Sequence, residues 1–325
     1  MPRPRIRKSS GKSNVLALCC SAASIAVIFS SFDPAPAGED LFVVRTASRT
    51  SNDVPIPPDA GLRLESDLRD ISSGDISTPA QNGMLLDNNE AIKFSLLILQ
   101  DGSRFLENVD TYTTIFNKQE RINGDLSEVQ TIEMKVRHEP SFSVYMKWKN
   151  GDTGRQLLFN EEYEDKKMVV KLGGLKGRLL PAIKLEPTSA RAMSESRYPV
   201  TEAGLLGMVR QLVSYRQTDI KNGHGVTCLR LPNRQWDERD CYCFLYNYHS
   251  PDINRTYRKS LVLIDTRYHI PLQVVNYTWT SETDGLSPEQ IDEQTLIESY
   301  SFSRTDFGRE LVAEEFSRDN PSYRM

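Results

Sequence analysis

No G-x-S-x-G elbow, no H-E-x-x-H pair and no phosphate-cradling glycine loop occurs in this chain, and only four histidines are spread over its 325 residues. Nucleophilic and metal-assisted hydrolysis need such groups in an activating context, so an enzyme reading has little to stand on, and neither cofactor nor metal is expected. His138 in Arg137-His138-Glu139-Pro140 reads as an exposed strand-end histidine with Glu139 as a possible partner. Glu161, Glu162 and Glu164 could supply paired carboxylates for glycoside chemistry, but read more simply as a solvated hairpin loop. A clustered basic stripe is also missing. Acidic and basic residues are interspersed at a formal charge of -4, which excludes nucleic acid as a partner. Internal repeats are absent too.

What is present begins with a leader. Arg3, Arg5, Arg7, Lys8 and Lys12 precede an apolar core from Val15 to Phe29, and Ala35-Pro36-Ala37 resembles a cleavage site. Residues 1–37 therefore read as a signal peptide or, left uncleaved, as an N-terminal anchor. Either way the protein is exported, periplasmic or membrane-tethered, and cleavage would move the formal charge from -4 to -8. Leu18 stands where lipidation at Cys19 or Cys20 needs a small residue, so a lipobox is rejected. Residues 38–87 are rich in Ser, Pro, Asp and Gly and bury too little apolar surface to offset chain entropy, which makes them a flexible linker. Residues 88–325 are one domain's worth of chain.

That domain opens with a helix from about 88 to 109, capped by Asn88 or Asn89. Alternation then marks strands: Tyr112, Thr114 and Phe116; Ile132, Met134 and Val136; Phe142, Val144, Met146 and Trp148. Further short strands fall at Leu157–Phe159 and Met168–Leu172. A second helix starts at Thr201 as N-cap and buries Leu205, Leu206, Val209, Leu212 and Val213, with Asn222-Gly223 to end it. Three strands between Leu261 and Phe302, joined by polar connections, form an antiparallel meander. The fold class is α+β: a single curved antiparallel β-sheet, a half-barrel, wrapped on two main helices.

Cys228, Cys241 and Cys243 fall in one hairpin. In an exported chain a disulfide from Cys228 to one of the other two is preferred; the rival is a Cys3His metal set completed by His249 or His224. Tyr242, Phe244, Tyr246 and Tyr248 alternate with the cysteines and form a ring ladder on the other face of their strand.

Three stretches resemble an exported planctomycete family of unknown function: Arg137 to Trp148, Glu195 to Gly204, and Asp319-Asn320-Pro321-Ser322-Tyr323. The run from Ile264-Asp265 to Ile270-Pro271-Leu272 and the helix and strand order more loosely resemble lipoprotein carriers of the LolA and LolB type. That resemblance implies an acyl chain held in a curved sheet. The expectation is an envelope protein that binds or carries an apolar ligand between sheet and helices, lined by Ile132, Met134, Val136, Val144, Met146, Trp148, Leu206, Val209 and Leu212. Its partners would be a lipid or lipidated protein, with an envelope protein as a further partner. The alternative is a non-catalytic structural or interaction protein with a packed core.

Overall fold

The computed structural model describes residues 88–325, except 164 and 324. The leader and linker expected over residues 1–87 lie outside the described residues.

Helix α1 (Asn88–Glu107) leads into β1 (Thr111–Ile122), β2 (Asp125–Leu126), β3 (Gln130–Arg137), β4 (Ser143–Trp148), β5 (Gln156–Asn160) and β6 (Met168–Lys171). The short helix α2 (Gly174–Leu179), β7 (Ile183–Leu185) and the single turn α3 (Ala190–Met193) lead to α4 (Leu205–Asn222). Then come β8 (Val226–Trp236), β9 (Arg239–Tyr248), β10 (Lys259–Asp265), β11 (Pro271–Tyr277), α5 (Pro288–Thr295) and β12 (Leu296–Asp306). The strands make one antiparallel sheet in the order β7-β6-β5-β4-β3-β1-β12-β11-β10-β9-β8, with β2 paired to β1. β7 and β8 form its two edges, so the sheet is open.

The period of two fixes which side chains share a face. Across β1, β3 and β4, Phe116 lies opposite Ile132 and Ile132 opposite Trp148; Tyr112 faces Val136, which faces Val144. On the other half, Phe94 of α1 packs its ring 5.4 Å from Tyr242 and 6.0 Å from Phe244, placing the ring ladder of β9 on the helix side. The opposite face of the first half is covered by the chain's end. There Tyr145 stacks on Tyr323 at 3.8 Å, while Leu158, Leu311 and Phe316 are buried beside them.

Two boundaries differ from the sequence reading. Thr201 does not cap the second helix: it lies in a 3-10 turn at Val200–Glu202, and α4 begins at Leu205 after Gly204. Gly204 has φ 92°, and a Cβ there would meet the Tyr112 hydroxyl at 2.5 Å, the same hydroxyl that accepts the Leu205 N–H at 2.8 Å. Only glycine fits that approach. The polar loop expected before the last strand contains α5, started by a reciprocal Ser287/Gln290 capping box with Pro288 in the first turn.

α1 passes very close to the β10–β11 turn. A Cβ on Gly102 would stand 2.1 Å from the His269 carbonyl oxygen, a backbone atom that cannot rotate away. Gly102→Ala is therefore expected to destabilise the domain by about 2 kcal/mol, the overpacking cost exceeding the ~1 kcal/mol that alanine contributes as a helix former. A urea melt checks this, and a variant more stable than the parent would contradict it.

Candidate functional site

The helix-side face of β3 to β6 is a continuous apolar wall. Val136 opposes Val144, Met134 opposes Met146, and Ile132 opposes Trp148; Val144 then meets Phe159, Met146 meets Leu157, and Leu157 meets Val170. All six expected lining residues of β3 and β4 are buried here, within one hydrophobic cluster. Val209 and Leu212 of α4 belong to the same cluster, whereas Leu206 is only half-buried against it. The fully buried position of the pair is Leu205.

From Leu205 the buried stripe runs through Val209 and Leu212 to Arg216 and Asp219. Its last two members are charged. The Arg216 guanidinium lies 3.5 Å from the centre of the Tyr246 ring and donates from Nη2 to the Tyr248 hydroxyl at 2.7 Å and to Asp219 Oδ2 at 2.9 Å. Nε and Nη1 of Arg216 find no hydrogen-bond partner among the described residues. Burial raises the Asp219 carboxyl above its ordinary range, against the opposing pull of Arg216.

Between β7 and α4, residues 186–204 form a strap held down by polar groups. Glu195 pairs with Arg155 at 2.7 Å, and Lys118 Nζ donates to the Glu195 carbonyl and the Ser196 hydroxyl. Arg197 sends its backbone N–H to Glu120 Oε2 at 3.2 Å and its Nε to Glu298 Oε2 at 2.5 Å. Glu298 is 1% exposed and also accepts from Tyr257 at 2.6 Å, Asn276 at 2.7 Å and Tyr198. Tyr300 donates to Glu120 Oε1, which is bridged on its other oxygen to Lys118. Burial first, then the neighbouring carboxylates, raise the Tyr257 and Tyr300 phenols, so both remain donors. Ala192 and Ala203 of the strap are half-buried against the same cluster as the apolar wall.

None of these latch residues was singled out individually from sequence. Lys118, Glu120 and Glu298 occupy helix-side positions of their strands, and that polar break in an apolar parity was the available signal. Arg197 and Tyr198 lie in one of the three stretches that carried the family resemblance.

A cleft of about 220 Å3 lies where α1 begins beside the end of α4, lined by Asn88, Asn89, Ile92, Lys93, Asp219, Ile220, Gly223, His224 and Val226. None of the expected lining residues borders it. Its size is below the ~300 Å3 at which drug-sized ligand pockets begin.

The preferred disulfide is overturned by register. Cys228 sits opposite Tyr246, and Cys243 and Cys241 are three and five residues from Tyr246 along β9, so both point to the other face of the sheet. All three thiols are free and buried. The three-thiolate metal set fails for the same reason, and His249 is engaged with the Thr227 hydroxyl at 2.7 Å. Burial pushes the Cys228 and Cys241 thiols up to about 12 and Cys243 to about 11, leaving them protonated and inert.

His138 is half-buried rather than exposed; its Nδ1 lies 2.8 Å from the Val109 carbonyl and 3.1 Å from that of Leu106. Both partners are acceptors, so Nδ1 carries the hydrogen, and Nε2 is buried with no partner among the described residues. Burial lowers its pKa from 6.5, outweighing the two carbonyls. A histidine held neutral contributes stability that is present above 6.5 and lost as pH falls through its depressed folded value. The melting temperature should therefore drop on acidification below 6.5, and His138→Gln should flatten that slope in a pH series of thermal melts. Glu162 is tied to Arg137 at 3.3 Å, and Glu164 lies outside the described residues.

Among the described residues no helix is long and apolar enough to cross a membrane. Comparison with solved structures places the chain beside a Vibrio parahaemolyticus domain named for outer-membrane lipoprotein sorting (12% identity, TM-score 0.33, covering 70% of this chain and 97% of that one). It is also similar to the lipoprotein LppX of Mycobacterium tuberculosis (12%, 0.38, 68% and 99%) and to LprF of Mycobacterium bovis (11%, 0.35, 68% and 95%). No curated protein matches the chain. Its own sequence is more telling: residues 109–325 match the family described as protein of unknown function, DUF1571, and the chain belongs to that family.

Proposed function

We propose that this domain is an exported, non-catalytic binding protein that takes an acyl-type apolar chain between the wall of β3 to β6 and the strap. The observation that carries the reading is the contrast between wall and cover. The wall is wholly apolar and includes three methionines, Met134, Met146 and Met168, whose flexible thioethers adapt to variable contents. The cover is fastened instead by polar contacts: Glu298 accepts from Arg197 and Tyr198, Arg155 pairs with Glu195, and Lys118 donates to Ser196.

In the structure the wall is closed, so a guest enters only as the strap lifts. A chain of a dozen methylenes gains roughly 10 kcal/mol by burial at ~0.8 kcal/mol each. Lifting the strap breaks the latch contacts but returns their charged groups to water, which offsets much of that loss. The guest can thus offset the opening and shift the population toward it. A second reading, an interaction protein with a packed core, is favoured by the complete burial of Ile132, Met134, Val136 and Val144.

Native mass spectrometry of protein purified from its own envelope, paired with thermal melts in the presence of a lipidated peptide, separates the two. Bound lipid mass and a melting temperature that climbs with ligand concentration support the carrier. A ligand-free mass with an unmoved melt supports the packed module.

A further inference from the structure

We propose that the β6–β7 connection is a docking tip for an anionic lipid surface, independent of what the apolar wall binds. Leu175, Leu179 and Leu180 are 71%, 76% and 46% exposed, and they account for three of the eight large apolar side chains that stand exposed among the described residues. All three fall within six positions, on and just after α2. Isolated exposed leucines need no explanation, but three within six positions do.

Charge selects the partner. Residues 166–185 hold six Lys or Arg and no Asp or Glu, in a chain whose formal charge is negative. Lys184 and Lys167 are spent on flanking carboxylates, Asp165 at 3.0 Å and Glu186 at 3.4 Å. Arg178 is exposed between the leucines, and no carboxylate partners it among the described residues. The turn is braced from behind: Lys171 Nζ donates to the Leu180 carbonyl at 2.7 Å, and the Gly174 N–H donates to the Thr153 carbonyl at 3.2 Å. A braced turn presents its leucines without a large ordering cost on contact.

Protein interfaces concentrate their energy in Trp, Tyr and Arg, with Leu under-represented. Aliphatic residues beside Lys and Arg are the composition that lies in the headgroup boundary of anionic bilayers, where each basic residue near the surface adds to the attraction. An acidic protein surface is the competing occupant.

Hydrogen exchange of the full chain, with and without phosphatidylcholine vesicles containing phosphatidylglycerol, tests the site wherever else the chain touches lipid. Exchange across residues 174–181 should slow about tenfold with the anionic vesicles, and less with phosphatidylcholine alone or at high salt. Leu175→Ser with Leu179→Ser should abolish the protection, and Arg178→Glu should weaken it. Both changes sit at exposed positions, so unchanged melting temperatures show that the variants are folded. Exchange at 174–181 that ignores the vesicles, or protection that survives the double serine variant, overturns the proposal and leaves the tip to a protein partner.

Discussion

Glu298→Ala is expected to lower the melting temperature by about 10 °C and to free the strap. The carboxylate is buried and accepts from Arg197, Tyr257, Asn276 and Tyr198. Truncation leaves a half-buried guanidinium and the Asn276 amide without their acceptor, while the Tyr198 and Tyr257 hydroxyls, 2.8 Å apart, can satisfy only one donor between them; removing one partner of a buried pair costs about 3–5 kcal/mol. In a domain of this size each kcal/mol shifts the melt by roughly 2–4 °C. Glu298→Gln keeps one acceptor oxygen and should lose about half as much. Because Arg197 and Tyr198 belong to the strap, limited proteolysis should cut residues 186–204 faster in the alanine variant than in the parent. If the cut instead appears evenly across the domain, the latch is not what holds the strap.

The strands were legible because burial and period two coincide: Ile132, Met134 and Val136 can share only one face, and Val144, Met146 and Trp148 fall opposite them in register. The latch was not, since Lys118, Glu120 and Glu298 are charged residues that read as solvent-facing until a second segment arrives to bind them. Arg197 and Tyr198 lie about a hundred positions from Glu298, and no local pattern couples such distant sites. The disulfide failed on the same kind of information. Redox compartment and spacing favoured it, but which residue of β9 faces Cys228 depends on strand register, and a shift of one position reverses every face. Of the two adjacent leucines expected on the buried face of the helix, Leu205 is fully buried and Leu206 sits at the edge of the stripe. The same face continues at helical spacing to Arg216 and Asp219, whose charge, taken alone, reads as solvent-facing.

Those two residues carry the other large effect. Arg216→Met is expected to cost about 3–5 kcal/mol at neutral pH, since it leaves the Asp219 carboxylate buried beside Tyr248 without its cation. The deficit should shrink in acid. Burial already raises the Asp219 carboxyl above 3.8 in the parent, and the loss of Arg216 removes an opposing influence, so the folded variant takes up its proton at higher pH than the unfolded chain does. A carboxyl raised on folding contributes most at low pH and loses that contribution as pH rises through its folded value, which makes the variant weakest where Asp219 must be charged. Arg216→Met combined with Asp219→Leu removes both charges and should recover most of the parent's stability, because a buried ion pair replaced by apolar side chains of similar volume is commonly neutral or better. Urea titrations of the three proteins at neutral and acidic pH give the comparison. A double variant as unstable as the single one would mean that Arg216 matters through its 3.5 Å stacking on Tyr246 rather than through Asp219.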